Sequence, residues 1–446
     1  MAGEAAARLS EFIKLTTIAP RIDEPDIRQA YSQALDFLSA KYPAIARTAT
    51  IEIDEPWSFV ARISGSDATL KPVLMIAHYD VVDIAPGTLE DWDHEPFSGL
   101  IDKEFIWGRG SLDDKSTLLA MMEAVEYCLQ NGGLTRGVIL AFGGDEEMMG
   151  VRGAGRVAER LHNEGIEFHC ALDEGSIISV DMLSNPRGPI AIVGVAEKGY
   201  ADVVVRAAVE GGHSSMPPAN TALGLVAAAL AHAESHPFAT RLIPTIRGFF
   251  KAIGCRASGV MRVVYTRIGL LWPVVRLILS RGRTTAALIR TTQAVTMASG
   301  SSAPNVLPAT AEANINVRIL PGESTDDVLR HYQRLFRRHN VTVSLADEAS
   351  GPVAASSINH SAYVSVKEAT QEVDPECIVA PFLVVGSTDS KWYASMCETV
   401  IRFVPVRMTS ADLSRVHGTN ERISIAAYDR VIEFYKLFLQ KECRNG

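Results

Sequence analysis

Short apolar runs alternate with longer amphipathic segments along roughly the first 195 residues of the chain. The runs VLMIA (73–77), VILAF (138–142) and FHCAL (168–172) are almost wholly apolar, as expected of strands buried on both faces of a sheet. Longer segments with a helical pattern lie between such runs. This alternation predicts an α/β fold with a mainly parallel central sheet and helices on both faces.

The hydrophobic pattern changes twice further along the chain. An alternating strand at 200–209 and another at 311–319 bound a segment that predicts an inserted α+β domain. After this segment the alternation of helices and strands returns, and it ends in an amphipathic helix at about 426–440. The predicted domains are a discontinuous main domain, 1–196 and 322–446, and an inserted domain, 197–321.

Residues 241–290 of the inserted domain are both basic and apolar. They contain ten Lys or Arg and no Asp or Glu, which leaves about −19 on the rest of a chain whose formal net charge is −9. The apolar run GLLWPVVRLIL (269–279) is shorter than the ~20 residues of a membrane span. Two interpretations stay open: amphipathic helices that pack on the inserted domain with solvated Arg side chains, or an apolar, cationic lip for long acyl chains or anionic lipid surfaces.

Composition narrows the classes of protein. The 446-residue chain is 47% hydrophobic and 21% charged, which is typical of a globular protein and not of a disordered one. A net charge of −9 argues against a general nucleic-acid binder, so we expect a small-molecule partner. The six cysteines form no CxxC pair, and the N-terminus has no basic head followed by a long apolar run. These features favour a reduced, cytoplasmic compartment.

A histidine and an acid follow the first apolar strand. His78 and Asp80 share a face because strand residues alternate, and a carboxylate so placed can orient a metal-ligating imidazole. The turn GRGSLDDK (108–115) presents two further acids, which suit a cation better than a phosphate. We choose Asp113 of this turn as the carboxylate that bridges two divalent ions.

More acids follow the other two strands. Asp145, Glu146 and Glu147 would repel one another unless a cation compensates them, so we assign Glu147 to metal and Glu146 to a general base. The third strand ends in a further pair of acids, and HGTNE (417–421) supplies a second imidazole. In open α/β sheets ligands bind beyond the carboxyl ends of strands, so these clusters should meet in one crevice. This mixture of imidazole and carboxylate ligands suits zinc.

Eight motifs occur in order over nearly the whole chain: HYDVV, WDHEPFSG, GRGSLDDK, GDEE, LDEGS, GGHSS, APNVLP and HGTNE. Together they resemble the dizinc metallopeptidases that include aminoacylase, carnosinase, glutamate carboxypeptidase and succinyl-diaminopimelate desuccinylase. Each motif is weak alone, but the ordered set is specific. The basic apolar segment and the loop GSTDS (386–390) resemble the carboxypeptidase S and N-fatty-acyl-amino-acid hydrolase branch most closely.

The resemblance implies a site with two zinc ions, for which cobalt or manganese could substitute. Asp80 and Glu146 take the catalytic positions, and Asp113 bridges the ions. Either member of the third acid pair matches the family's ligand position, so that choice stays open. The implied metal ligands are His78, Asp113, Glu147, Asp173 or Glu174, and His417.

The resemblance also implies that the inserted domain is a lid and dimerisation domain, so we expect a homodimer. His213 would then reach a substrate oxygen across the dimer, while Asn305 and Arg318 would hold the substrate's carbonyl and carboxylate groups. The loop that contains Gly386, Ser387 and Thr388 resembles the family's substrate-carboxylate loop.

The resulting hypothesis is a zinc-dependent hydrolase that cuts the amide bond of N-acyl amino acids or the C-terminal peptide bond of small peptides. No transmembrane span is expected, although the basic apolar segment allows weak contact with a membrane surface. A catalytically silent metal-binding or lipid-surface protein on the same fold is the alternative. A serine hydrolase is not favoured, because the chain has no GxSxG motif.

Overall fold

The computed structural model describes residues 2–347 and 349–444. The α-helices within these residues are α1 Ala2–Ile13, α2 Pro25–Ala40, α3 Pro43–Thr48, α4 Lys115–Gln130, α5 Ala154–Asn163, α6 Ala222–Ser235, α7 Pro244–Gly254, α8 Gly259–Thr266, α9 Ile268–Leu279, α10 Arg283–Ala287, α11 Thr325–Leu335, α12 Ser361–Val373, α13 Ser390–Tyr393, α14 Ser410–Leu413 and α15 Ile425–Cys443. The strands are β1 Thr50–Asp54, β2 Ser58–Ile63, β3 Val73–His78, β4 Phe105–Trp107, β5 Val138–Gly143, β6 Cys170–Asp173, β7 Ile178–Ser179, β8 Ile190–Glu197, β9 Gly199–Ala208, β10 Gly212–His213, β11 Thr292–Ser299, β12 Val306–Leu307, β13 Thr310–Ile319, β14 Thr342–Leu345, β15 Ile378–Val384, β16 Val400–Arg402, β17 Arg407–Met408 and β18 Arg422–Ser424.

A ten-stranded sheet forms the centre of the main domain. Its strand order is β1-β2-β5-β3-β6-β16-β8-β7-β17, with β15 paired to β8. The strands β5, β3, β6 and β16 are neighbours and run parallel, and β15 runs parallel to β8. The three apolar runs of the sequence are therefore adjacent parallel strands, which end at the same edge. The predicted mainly parallel central sheet is confirmed.

Helices cover both faces of this sheet. Alternate residues of β3 enter two different cores, because successive strand side chains point to opposite faces. Met75 lies in the core that α1, α2, α4, α12 and α15 form, whereas Ile76 lies in the core formed with α5 and α13. Burial on both faces explains why the three strands are continuous apolar runs.

A separate antiparallel sheet of four strands, in the order β11-β13-β9-β14, forms the centre of the inserted domain. The predicted boundary at residue 322 lies too early, because elements after this residue still belong to the inserted domain. β14 pairs with β9, and α11 buries Val328 and Tyr332 in the core between α6 and the sheet. The chain therefore leaves the inserted sheet only after β14, because these later elements fill its core.

The basic apolar segment packs on the main domain rather than on the inserted sheet. α7 places Ile246, Phe249 and Ile253 in one core with β8 and β15, and the rings of Phe249 and Phe382 are 5.4 Å apart. The interpretation that these helices pack on the inserted domain is therefore corrected, because they lie on the large sheet. No helix in the described part of the chain is long and apolar enough to cross a membrane.

Phe249→Ala should lower the free energy of unfolding by about 3 kcal/mol or more, because it opens a cavity between α7 and β15. Urea unfolding followed by fluorescence measures this change. Val260→Ala, which trims a side chain that is 77% exposed, is the matched control and should leave the stability almost unchanged. Equal stabilities for the two variants would contradict the packing of α7.

Candidate metal centre and active site

Four segments of the chain meet at the carboxyl edge of the large sheet. His78 is the last residue of β3, and the turn that carries Glu146 and Glu147 follows β5. Asp113 stands just before α4, joined to Asp114 by a cis peptide bond. His417 lies in the loop between α14 and β18. The structure thus brings together residues that are more than 300 positions apart.

Asp113 lies between two imidazoles. Its Oδ1 is 3.0 Å from Nε2 of His78, and its Oδ2 is 3.0 Å from Nε2 of His417. Nε2 of His417 is also 3.0 Å from Oε1 of Glu147. One carboxylate with an imidazole at each oxygen is the arrangement that a bridge between two cations needs.

Asp80 is fully buried behind His78 and holds two parts of the site. Its backbone oxygen is 3.1 Å from Nδ1 of His78, and its Oδ1 is 3.4 Å from the same nitrogen. Its carboxylate also accepts hydrogen bonds from the backbone N–H groups of Glu146 and Glu147. Asp80 therefore fixes both the imidazole ring and the turn that presents the two glutamates.

The electrostatics of this cluster favour a bound cation. Burial raises the pKa of Glu146 and of Glu147, and neighbouring carboxylates raise both further. Burial and the charge of Asp113 also raise the pKa of Glu174 well above its usual range. Hydrogen bonds to Asp113 and Glu147 raise the pKa of His417 to about 10. The ligand set therefore fits a divalent ion, whose charge would offset that of the neighbouring carboxylates.

The structure separates the two acids that follow β6. Asp173 accepts hydrogen bonds from the backbone N–H groups of Glu174 and Ser390, one at each carboxylate oxygen, and it is not among the residues that line the cavity. Glu174 instead lines the cavity together with Asp113, Glu147 and His417. The geometry thus favours Glu174 as the ligand at the position that the sequence left open.

A buried ion pair that the sequence did not indicate joins the two loops of the site. Oε1 of Glu421 accepts the backbone N–H groups of Gly110, Leu112 and Asp113 at 2.8–3.2 Å. Its Oε2 is 2.6 Å from Nη1 of Arg109, which also donates through Nη2 to the carbonyl oxygens of His417 and Gly418. This Arg109–Glu421 clamp links the loop of Asp113 to that of His417. Arg109 belongs to the motif GRGS and Glu421 to the motif HGTNE, but no local sequence pattern indicates that two residues 312 positions apart form a pair.

A largely apolar cavity of about 460 Å³ opens onto the cluster. Glu146, Glu147, Glu174 and His417 form its polar end, and the loop with Gly386, Ser387 and Thr388 borders it. Its apolar lining comes from Ile177, Met182, Ile192, Phe382, Val404, Val406, Met408 and Leu413.

The three expected substrate-binding residues of the inserted domain do not line this cavity. His213 is exposed on the β10-β12 ribbon, where its Nδ1 is 2.7 Å from Oγ of Ser215. Asn305 is also exposed, and its carbonyl oxygen accepts the N–H of Ser214. Arg318 stacks over the ring of Tyr200 at 4.8 Å. The described residues of one chain therefore assemble the metal cluster without these three side chains.

A second group with metal-ligand residue types lies elsewhere: His169, His360 and Glu398. Glu398 is exposed and pairs with Lys71 at 2.9 Å. Nδ1 of His360 accepts the N–H of Ala362, so a neutral ring carries its proton on Nε2, which faces Glu398. This group is therefore better explained as a network of ion pairs and hydrogen bonds.

Comparison with known proteins agrees with the geometry. Residues 74–441 match the model of peptidase family M20/M25/M40. The chain is 34% identical over 439 residues to "Probable carboxypeptidase S-like 2" of Dictyostelium discoideum, covering 97% of this chain and 84% of that one. It is 32% identical over 407 residues to human "N-fatty-acyl-amino acid synthase/hydrolase PM20D1", covering 89% and 80%. An M20 family metallo-carboxypeptidase from Sulfolobus solfataricus shares the fold, with a TM-score of 0.71, 19% identity and coverage of 98% and 99%.

The chain belongs to peptidase family M20/M25/M40. The predicted branch, that of carboxypeptidase S and the N-fatty-acyl-amino-acid hydrolases, is confirmed, and so is the predicted class, a metallo-carboxypeptidase or aminoacylase-type hydrolase. The alternative of a catalytically silent protein is not favoured.

Glu421→Gln should destabilise the protein by about 3–5 kcal/mol, because the buried guanidinium of Arg109 loses its counter-charge while the three N–H groups keep an acceptor. It should also weaken metal binding by about tenfold or more. Urea unfolding and metal titration by calorimetry measure the two effects.

Glu11→Gln, which breaks an exposed pair with Lys41, is the matched control and should change neither quantity. The double variant Arg109→Met, Glu421→Gln should recover part of the stability, since no buried charge is left unpaired. Wild-type metal affinity in Glu421→Gln would refute the positioning role of the clamp.

Proposed function

We propose that this protein is a zinc-dependent hydrolase of N-acyl amino acids that carry long, apolar acyl chains. The observation that carries the proposal is the apolar cavity that opens onto the cluster of Asp113, Glu147, Glu174 and His417. Its volume of about 460 Å³ is typical of small-molecule sites. The similarity to an N-fatty-acyl-amino acid synthase/hydrolase supports this substrate class. Small peptides with an apolar side chain next to the C-terminal bond are the second candidate.

Two zinc ions fit the ligand set. Asp113 would be shared between them, His417 and Glu147 would bind one ion, and His78 and Glu174 the other. Imidazole nitrogens and carboxylate oxygens are ligands that zinc prefers, and cobalt or manganese can take the same ligands. Bound ions of this kind polarise a carbonyl group and lower the pKa of water.

Glu146 is the proposed general base. It lies in the turn after β5 and borders the cavity, and burial raises its pKa, which favours a role in proton transfer. It takes the proton of the attacking water and then transfers it to the amine nitrogen that leaves. Asp80 keeps this turn and the ring of His78 in place throughout.

The substrate carboxylate would be held by the loop of Gly386, Ser387 and Thr388, which borders the cavity. His213 lies on the exposed β10-β12 ribbon, Asn305 directly precedes β12, and both residues are outside the cavity. In a homodimer this ribbon could reach the site of the partner subunit, and we propose that His213 and Asn305 act there. Arg318 would then join them only when the inserted domain closes over the substrate.

Glu146→Gln should reduce kcat by about 100-fold or more, because the amide cannot accept the proton of the attacking water. The metal content should stay at two ions per chain, since Glu146 is not a proposed ligand. Hydrolysis of an N-palmitoyl amino acid and elemental analysis measure the two quantities.

Glu147→Gln is the matched control, because the adjacent glutamate is a proposed ligand and its loss should lower the metal content as well. Near-normal turnover by Glu146→Gln would contradict the assignment of the base. Full activity after complete removal of metal by a chelator would overturn the mechanism as a whole.

Leu413→Trp should lower kcat/KM for long-chain N-acyl amino acids by about tenfold and spare N-acetyl amino acids, since the larger ring obstructs the apolar part of the cavity. Leu413 borders the cavity and is 48% exposed, so the fold can accommodate the ring. Leu89→Trp, at an exposed leucine outside the cavity, is the control. Equal losses for long and short acyl groups would contradict the placement of the acyl chain.

A further inference from the structure

The helix α9 is apolar on both of its sides. One side buries Ile268 and Val275 in the core that α7, β8 and β15 share. The other side exposes Leu270, Val274, Leu277 and Ile278, which follow the i, i+4, i+7, i+8 spacing of one helical face. An apolar helix face is normally covered by another part of the protein, so this exposed face lacks a partner within the described chain.

The neighbouring helix α8 extends this surface. Val260 and Val263 stand one turn apart on α8 and are both well exposed. We call the six exposed side chains of α8 and α9 the apolar face; it consists of Val260, Val263, Leu270, Val274, Leu277 and Ile278. Leu270, the most exposed of them, has 80% of its surface accessible. A single exposed leucine is common on a protein surface, but a group of exposed apolar side chains marks an interaction site.

The charges within the chain segment that forms the apolar face are all of one sign. Residues 241–290 contain ten Lys or Arg and no acid, and nine of the ten side chains are exposed. Among the described residues, only Arg241 of these ten has a carboxylate within 4 Å, that of Glu323. The other nine cations form no ion pair within 4 Å in the described part of the chain, although the rest of the chain is strongly acidic. This surface therefore complements an anionic partner.

We propose that α8 and α9 form a docking surface for a membrane of anionic phospholipids. An apolar face combined with exposed Arg matches such a surface, because the apolar side chains enter the boundary of the acyl chains while the guanidinium groups meet the phosphates. The 12 residues of α9 are too few to span a bilayer but suffice to lie along one. A nucleic acid would not cover six aliphatic side chains, and a second copy that docked through the same face would bring the two basic segments together.

The docking surface is directly connected to the wall of the cavity. Ile268 and Val275 of α9 share a core with Ile192 and Phe382, and the latter two residues line the cavity. Docking would thus hold the cavity close to a lipid phase, in which amphiphiles with long acyl chains accumulate. Membrane binding itself does not depend on the proposed hydrolysis, and it is tested without substrate.

The test is flotation of the full-length, metal-loaded protein with vesicles of pure phosphatidylcholine or of phosphatidylcholine mixed with phosphatidylglycerol. The wild-type protein should bind the mixed vesicles and bind pure phosphatidylcholine at least about tenfold more weakly. The variant Leu270→Ser, Leu277→Ser, Ile278→Ser should lose most of this binding, as should Arg262→Gln, Arg276→Gln, Arg281→Gln. All six side chains are exposed, so the fold should persist in both variants.

Two matched variants change exposed positions outside the surface. The variant Ile53→Ser, Leu89→Ser, Val364→Ser controls for apolar content, and the variant Arg28→Gln, Arg337→Gln, Arg338→Gln controls for charge. Both should bind like the wild type. No binding of the wild type to mixed vesicles would overturn the proposal, and so would equal loss in the control variants. Light scattering could also show that the wild type forms a dimer and that the variant Leu270→Ser, Leu277→Ser, Ile278→Ser does not. This result would identify a second copy of the chain as the partner of the surface and would also overturn the proposal.

Discussion

Half-buried carboxylates that meet at the carboxyl edge of the parallel strands are the constraint on which the rest of this structure depends. Glu146, Glu147, Glu174 and Asp113 lie within one cluster, where like charges in a poorly solvated place are costly. Imidazoles from His78 and His417 offset part of this cost, and divalent ions can offset the remainder. A protein that places these acids together needs a cation, and the site is built to receive it.

Much of the surrounding architecture keeps these side chains in place. The parallel sheet fixes the ends of β3, β5 and β6, Asp80 fixes the turn after β5, and the Arg109–Glu421 clamp joins two loops that no strand connects. Backbone N–H groups donate to both Asp80 and Glu421, so each carboxylate is satisfied by rigid donors rather than by water. This preorganisation lets ligands from distant segments meet with little further loss of entropy on binding.

The two sheets carry different parts of the predicted site. The large sheet assembles the metal cluster and one wall of the apolar cavity, whereas the inserted sheet carries His213, Asn305 and Arg318 away from that cavity. The basic apolar helices lie between two strands of the inserted sheet in the sequence, but they pack on β15 of the large sheet. Their other side exposes a second apolar face to the surroundings.

The sequence by itself determined the class of fold and the family, and it predicted which acids and imidazoles meet in one cluster, because apolar runs followed by such residues are local patterns. Only the tertiary structure shows that Glu174 lines the cavity and Asp173 does not, since both acids follow the same strand and differ in the direction of the side chain. It alone revealed the Arg109–Glu421 pair, which joins positions 312 apart, and the packing of α11 and β14 on the inserted sheet. A sequence pattern shows which side of an element is apolar, but it does not show which neighbour covers that side. For α9, only the tertiary structure shows that one apolar side is buried in the core and the other is exposed.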